Sequence, residues 1–129
     1  MHRLLRQWNR RRQRLVDTHS AAGNDVLLAG HLLERGATRY TPAGIPVIEF
    51  RLAHASEQIE AGLPRRVECE MPCVAVGQMA QLMADSKPGD GLTLSGFIAA
   101  RSQNSRTLVL HVNKIEFLEG NENGFQAQG

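Results

Sequence analysis

The chain has 129 residues, 42% hydrophobic and 5% aromatic, which suits one domain able to bury a single core without disulfide or metal staples. Its net charge of +2 is too small to name a partner. No apolar stretch approaches the ~20 residues that cross a bilayer, and the Arg-rich start lacks the apolar segment and small-residue cleavage site of a secretory signal, so no membrane partner is expected and the expected location is cytoplasmic.

In chain order, residues 1–23 come first and carry Arg3, Arg6, Arg10, Arg11, Arg12 and Arg14 against Asp17. Residues 24–129 hold nine basic and twelve acidic residues, so the basic character belongs to the extension and not to the domain. Leu4, Trp8 and Leu15 can share one side of a short helix ringed by arginines that would meet phosphates. A loose tail is the plainer reading, and an upstream start, with the natural protein beginning nearer Asn24, is a third. The expected organisation is a basic extension over 1–23, a folded domain over 24–120 and a flexible tail over 121–129.

Val26–Leu33 is short and apolar and predicts a first strand. Thr41-Pro42-Ala43-Gly44-Ile45-Pro46 is a turn cluster. In Val47–His54, Ile48, Phe50 and Leu52 alternate with Glu49 and Arg51, the period of a half-buried second strand. Gln58–Pro64, with Gly62 and Pro64, predicts a loop. Val67–Val76 alternates again as a third strand, and Pro72 within it demands an open edge or a bulge because it has no N–H for a ladder. Gly77–Ser86 places Met79, Leu82 and Met83 at helical spacing and is stopped by Lys87-Pro88-Gly89. Leu92–Ala100 and Thr107–Leu118 are the fourth and fifth strands, joined by the polar loop Ser102–Ser105. Three strands, a helix and two strands predict an all-β chain: an OB-fold, the five-stranded barrel with one short helix between strands 3 and 4. An immunoglobulin-like sandwich would need about seven strands.

The two cysteines, Cys69 and Cys73, would share one face of a strand, too far apart to bridge; both are expected as reduced core residues. The histidines His2, His19, His31, His54 and His111 have no zinc-like spacing, and neither a phosphate loop nor a nucleophile elbow occurs. Neither an enzymatic activity nor a cofactor is expected. Gly30, Gly44, Gly77 and Gly96 are expected at bends and turns.

The run Asn24–Gly30, then Arg39–Gly44, Val47, Phe50, Leu52 and Ala53 resembles bacterial single-stranded-DNA-binding proteins. With Gly44-Ile45-Pro46, Cys69-Glu70-Met71-Pro72, Gly96-Phe97-Ile98 and Leu108–His111, it is closer still to the primosomal replication protein N (PriB) family. The resemblance spans residues 24–118. It implies a homodimeric OB protein that binds single-stranded DNA, stimulates a restart helicase within the primosome, and does no chemistry. A general strand-coating protein would carry tryptophans in the barrel and an acidic tail tip; here Trp8 lies outside the barrel and the chain ends Phe125–Gly129. The family pattern has aromatic residues where Leu63 and Glu68 stand, and a longer, lysine-rich loop where this chain offers Arg101 and Arg106.

Single strands are held by cations on the backbone and by flat side chains under the bases. Tyr40 is the obvious platform, and Arg39 beside it can reach a phosphate and matches a basic position of the family. A solvated turn with Tyr40 over the barrel rim is the plainer alternative. Arg51 should point outward, Arg65 and Arg66 precede the third strand, and Arg101 and Arg106 frame the last loop, so the candidate nucleic-acid-binding set is Arg39, Tyr40, Arg51, Arg65, Arg66, Arg101 and Arg106, converging on one barrel face. Glu49, Glu68 and Glu70 share the outward face and repel phosphate, which leaves a second reading open: a protein–protein adaptor that contacts DNA only weakly.

Overall fold

Alternation along a strand turns every second side chain inward, and in this chain that rule sets the core. The computed structural model describes residues 22–118. In it, six strands and one helix follow in order: β1 (Val26–Arg35), β2 (Arg39–Tyr40), β3 (Pro46–Glu60), β4 (Leu63–Val76), α1 (Gln78–Met83), β5 (Gly91–Ala100) and β6 (Leu108–Leu118). Ile48, Phe50 and Leu52 of β3 point inward and pair with Ala75, Cys73 and Met71 of β4. Leu92 and Leu94 of β5 and Leu110 and Val112 of β6 complete the core with Leu32.

Five strands close into a ring. β1 pairs with β5 over Val26–His31, then passes to β3 over His31–Arg35. β5 and β6 are antiparallel, as are β3 and β4. The seam is a short parallel contact between β4 and β6, at Cys73↔Leu110 and Val74↔His111. This is the expected OB-fold, with its helix between β4 and β5. The two-residue strand β2 adds to the outside of β3, pairing Arg39 with Val47 and Tyr40 with Pro46.

Closure demands two close approaches. A Cβ on Gly30, where β1 changes partner, would overlap the Ala53 carbonyl oxygen; one on Gly96 would overlap the His111 carbonyl oxygen. Gly96 also sits at the irregularity in the β5–β6 register. At the other end of the ring, Asn24 brackets β5: its Nδ2 donates to the Ile98 carbonyl at 2.8 Å and its Oδ1 accepts from the Ile98 N–H at 2.9 Å.

Several expectations need correction. Gln58–Pro64 is not a loop: β3 and β4 continue as a two-stranded arm to Glu60↔Leu63, joined by Ala61 and Gly62 at φ 53° and 78°. Positive φ at both turn residues is the tight hairpin geometry that matches strand twist. No residue of the arm from Ala55 to Glu68 is buried, so it shows no one-sided apolar pattern. Cys69 is exposed because it stands at the base of this arm, opposite His54; only Cys73 reaches the core. In α1 the buried residues are Ala80 and Met83, whereas Leu82 turns outward. Arg39 and Tyr40 form a strand where only a turn approach was expected. Pro72 lies at an open edge, as its chemistry requires: it keeps register with Arg51 of β3, and the β6 contact begins one residue later. The expectations for residues 1–21 and 119–129 lie outside the described residues. Among the described residues, no helix is long and apolar enough to cross a membrane.

Candidate nucleic-acid interface

Outward-facing residues of β3, β4 and β6 form the floor of a groove, walled by the segment between β1 and β3 on one side and by the β5–β6 loop on the other. Val47, Glu49, Arg51, Val74, Val76, Val109 and His111 line the floor; Arg35, Arg39 and Thr41 form one wall, and Arg101 and Thr107 the other. In an OB barrel this face and these two loops are where ligands dock.

The walls are held by short backbone links. The Gly36 N–H donates to the Glu49 carbonyl at 2.8 Å, and the Thr41 N–H to the Ile45 carbonyl at 2.9 Å. The Thr41 hydroxyl oxygen accepts from the Ile45 N–H at 3.1 Å, fixing the turn that returns the chain to β3. Arg101 donates its N–H to the Thr107 carbonyl at 2.8 Å, which closes the opposite loop. Pairing with Val47 puts Arg39 on the groove side of β2.

The walls meet at one carboxylate. Arg39 Nη2 donates to Glu49 Oε2 at 2.9 Å, and Arg101 Nη2 donates to Glu49 Oε1 at 2.9 Å. Two cations from opposite walls therefore share a single anion on the floor. Arg51 pairs with Glu70 at 3.2 Å. All these groups are at least 40% exposed, so each pair contributes only ~0–1 kcal/mol and can exchange partners.

The structure thus brings Arg39, Arg51 and Arg101 together and leaves the other candidates outside. Tyr40, its neighbour Arg39 facing the groove, turns to the opposite side of β2 and is 67% exposed. Arg65 and Arg66 stand on the arm, roughly 20 Å from Arg51 at about 3.4 Å per residue. Each has its own local acid: Arg65–Glu60 at 2.9 Å and Arg66–Glu68 at 2.7 Å. Arg106 lies next to the wall residue Thr107, and among the described residues it has no ion-pair partner. The expected convergence of all seven on one face fails because the arm carries Arg65 and Arg66 away from the barrel.

Sequence reasoning missed two features. Arg35 ends β1 and lines the groove; its Nε donates to the Ser86 carbonyl at 3.1 Å, tying the wall to the segment after α1. Phe97 and His111, directly paired across β5 and β6, stack with ring centroids 5.0 Å apart and planes 4° from parallel. Both point outward, which the inward Leu94, Gly96 and Ile98 on either side of Phe97 could have signalled. Burial pushes the Cys73 thiol up to about 12, so it is no nucleophile. Among the described residues no cluster of three metal-ligating side chains occurs.

A family model described as another single-strand binding protein family matches residues 24–114. Replication restart protein PriB of Bordetella pertussis is 41% identical over 97 residues, covering 75% of this chain and 91% of that one. The chain belongs to the PriB family. A second PriB, from Nitrosomonas europaea, is 39% identical over 95 residues, 74% of this chain and 88% of its own. The solved PriB of Ralstonia solanacearum superposes with a TM-score of 0.68 at 33% identity, covering 74% of this chain and 98% of that structure. The single-stranded DNA binding protein of Thermus aquaticus superposes at 0.62 with 25% identity, over 76% of this chain and 51% of that protein. Membership of PriB places the chain among replication restart proteins built on the single-strand-binding fold.

Proposed function

We propose that this protein binds single-stranded DNA in the groove between its two walls and acts, without chemistry of its own, as the accessory that couples a restart helicase to that strand. The observation that carries the reading is the meeting of Arg39 and Arg101 over one outward strand face. Two cations held about a carboxylate are equally placed for a phosphate, which offers the same bidentate geometry. Val76, 45% exposed, and half-buried Val74 provide apolar surface for sugars and bases.

Titration of a labelled oligonucleotide with the full chain at low and moderate salt tests the reading. Expected is micromolar or tighter binding at low salt that weakens steeply as salt rises and falls about tenfold in Arg39→Ala. Stimulation of the helicase's unwinding should fall in the same variant.

A second reading, a protein adaptor that barely touches DNA, is favoured by one observation: Arg39, Arg51 and Arg101 are each already paired with an acid. It predicts helicase stimulation that survives Arg39→Ala with no measurable oligonucleotide binding. Homodimerisation belongs to the same proposal. Val26–Gly30 of β1 has a ladder partner on one side alone among the described residues, and Leu27 there is 72% exposed; an open apolar edge of this kind calls for a cover. Sedimentation giving a monomer at micromolar concentration would refute the dimer.

A further inference from the structure

Tyr40 was the one aromatic side chain expected to stack on a base, and it faces away from the groove. The groove nevertheless has an aromatic element. His111 lines the floor beside Val74, its partner across the β4–β6 seam. Phe97 lies flat against it. Phe97 is 42% exposed, in contrast to Phe50 at 3%. Along the same outward face of β5 and β6 the other cross-strand pairs carry no ring: Gly91 with Leu118, Thr93 with Glu116, Ser95 with Lys114, and Ala99 with Val109. One exposed aromatic pair therefore stands in a row without other rings, with Arg51 and Arg101 on one side and Lys114 on the other.

Resting on the nucleic-acid reading above, we infer that the Phe97–His111 pair is the stacking platform of the groove and takes one unstacked base of a bound single strand. A flat pair standing off the sheet offers a ring face or edge to a base of any identity, and stacking of this kind is tolerant of sequence. The cations flanking it place phosphates on either side, so backbone and base are held by different residues. The same pair also steadies β5 against β6. A test must separate that contribution from contact with a base.

The test uses the full chain and two fluorescent probes of equal length: oligodeoxythymidylate, and the same backbone with abasic sites throughout. Phe97→Leu keeps apolar volume on the strand but removes the flat face. Expected is a loss of about five- to one-hundred-and-fifty-fold on oligodeoxythymidylate, no change on the abasic strand, and an unchanged salt slope. Phe97→Tyr should restore binding. Arg101→Ala should weaken both probes alike. If the unsubstituted protein binds oligodeoxythymidylate and Phe97→Leu binds it equally well, the platform is refuted while the groove stands. If Phe97→Leu weakens both probes equally, the pair is a structural strut and the inference also falls. If the unsubstituted protein binds neither probe at low salt, the nucleic-acid reading itself fails.

Discussion

The groove and the arm contain similar side chains arranged in opposite ways. Each holds arginines matched to glutamates. In the groove the partners come from different segments: Arg101 reaches Glu49 from one wall and Arg39 reaches it from the other. In the arm the partners are neighbours, Arg66 with Glu68 and Arg65 with Glu60. Closing a sheet brings distant loops to one place and concentrates charge there. A two-stranded ribbon with both faces wet can only pair each charge with what is beside it. Charge alone does not mark a site; convergence imposed by the fold does.

The largest expected contrast is in stability. Leu52→Ala, in the barrel core, should cost about 2–5 kcal/mol in denaturant unfolding, whereas Ile59→Ala on the arm should stay within about 0.5 kcal/mol. Equal effects would mean that the arm packs on something and would dissolve the contrast.

The two cysteines sharpen it. A maleimide should modify exposed Cys69 in the native protein and reach Cys73 only on unfolding. Because the folded Cys73 thiol is raised above its ordinary value, the unfolded chain gives up that proton first as pH climbs. Stability should therefore be unaffected by this group below about pH 9 and fall by about 1.4 kcal/mol per unit from there to about pH 12. Unfolding of Cys73→Ala followed against pH should lack that component.

Next comes binding. Arg39→Ala or Arg101→Ala should lower oligonucleotide affinity about tenfold at low salt and reduce the salt slope by roughly 0.7 per lost phosphate contact. Arg65→Ala and Arg66→Ala should change neither beyond about twofold. Losses of equal size from the arm would show that the strand runs along both regions.

A smaller effect has the opposite sign. Glu49→Gln frees both wall arginines and should raise affinity about threefold, while Glu60→Gln on the arm should not. The smallest effect is local. Ala61, at φ 53°, occupies a conformation that disfavours a Cβ; Ala61→Asn should steady the arm by roughly 0.5–1 kcal/mol. Hydrogen exchange of the arm amides would report it, with global unfolding unmoved.

How far the sequence could be read follows the same division. β1, β5 and β6 were legible to within two residues because each is an apolar-rich run bounded by turn or polar residues. The arm was not, since Glu57, Gln58, Arg65 and Arg66 bury neither face and Gly62 and Pro64 imitate a loop. Cys69 had the right parity for the core, but parity says nothing of depth along a strand that outruns the barrel. Arg39, Arg51 and Arg101 could be assigned to one face from topology. Arg35 was hidden at the end of an apolar run, and a binding role for His111 was hidden because stacking on Phe97 depends on a cross-strand register that spacing does not reveal.

The ring is shut by two rungs, Cys73↔Leu110 and Val74↔His111, and these lie beneath the groove. Arg51 and Glu49 stand on one side of that join, and Arg101 and Val109 on the other. Whatever settles across the floor acts as a suture over the weakest join in the wall. Occupancy of the proposed groove should therefore slow the opening of the β4–β6 backbone more than that of any other strand pair, leaving the barrel most firmly closed when a strand lies across it.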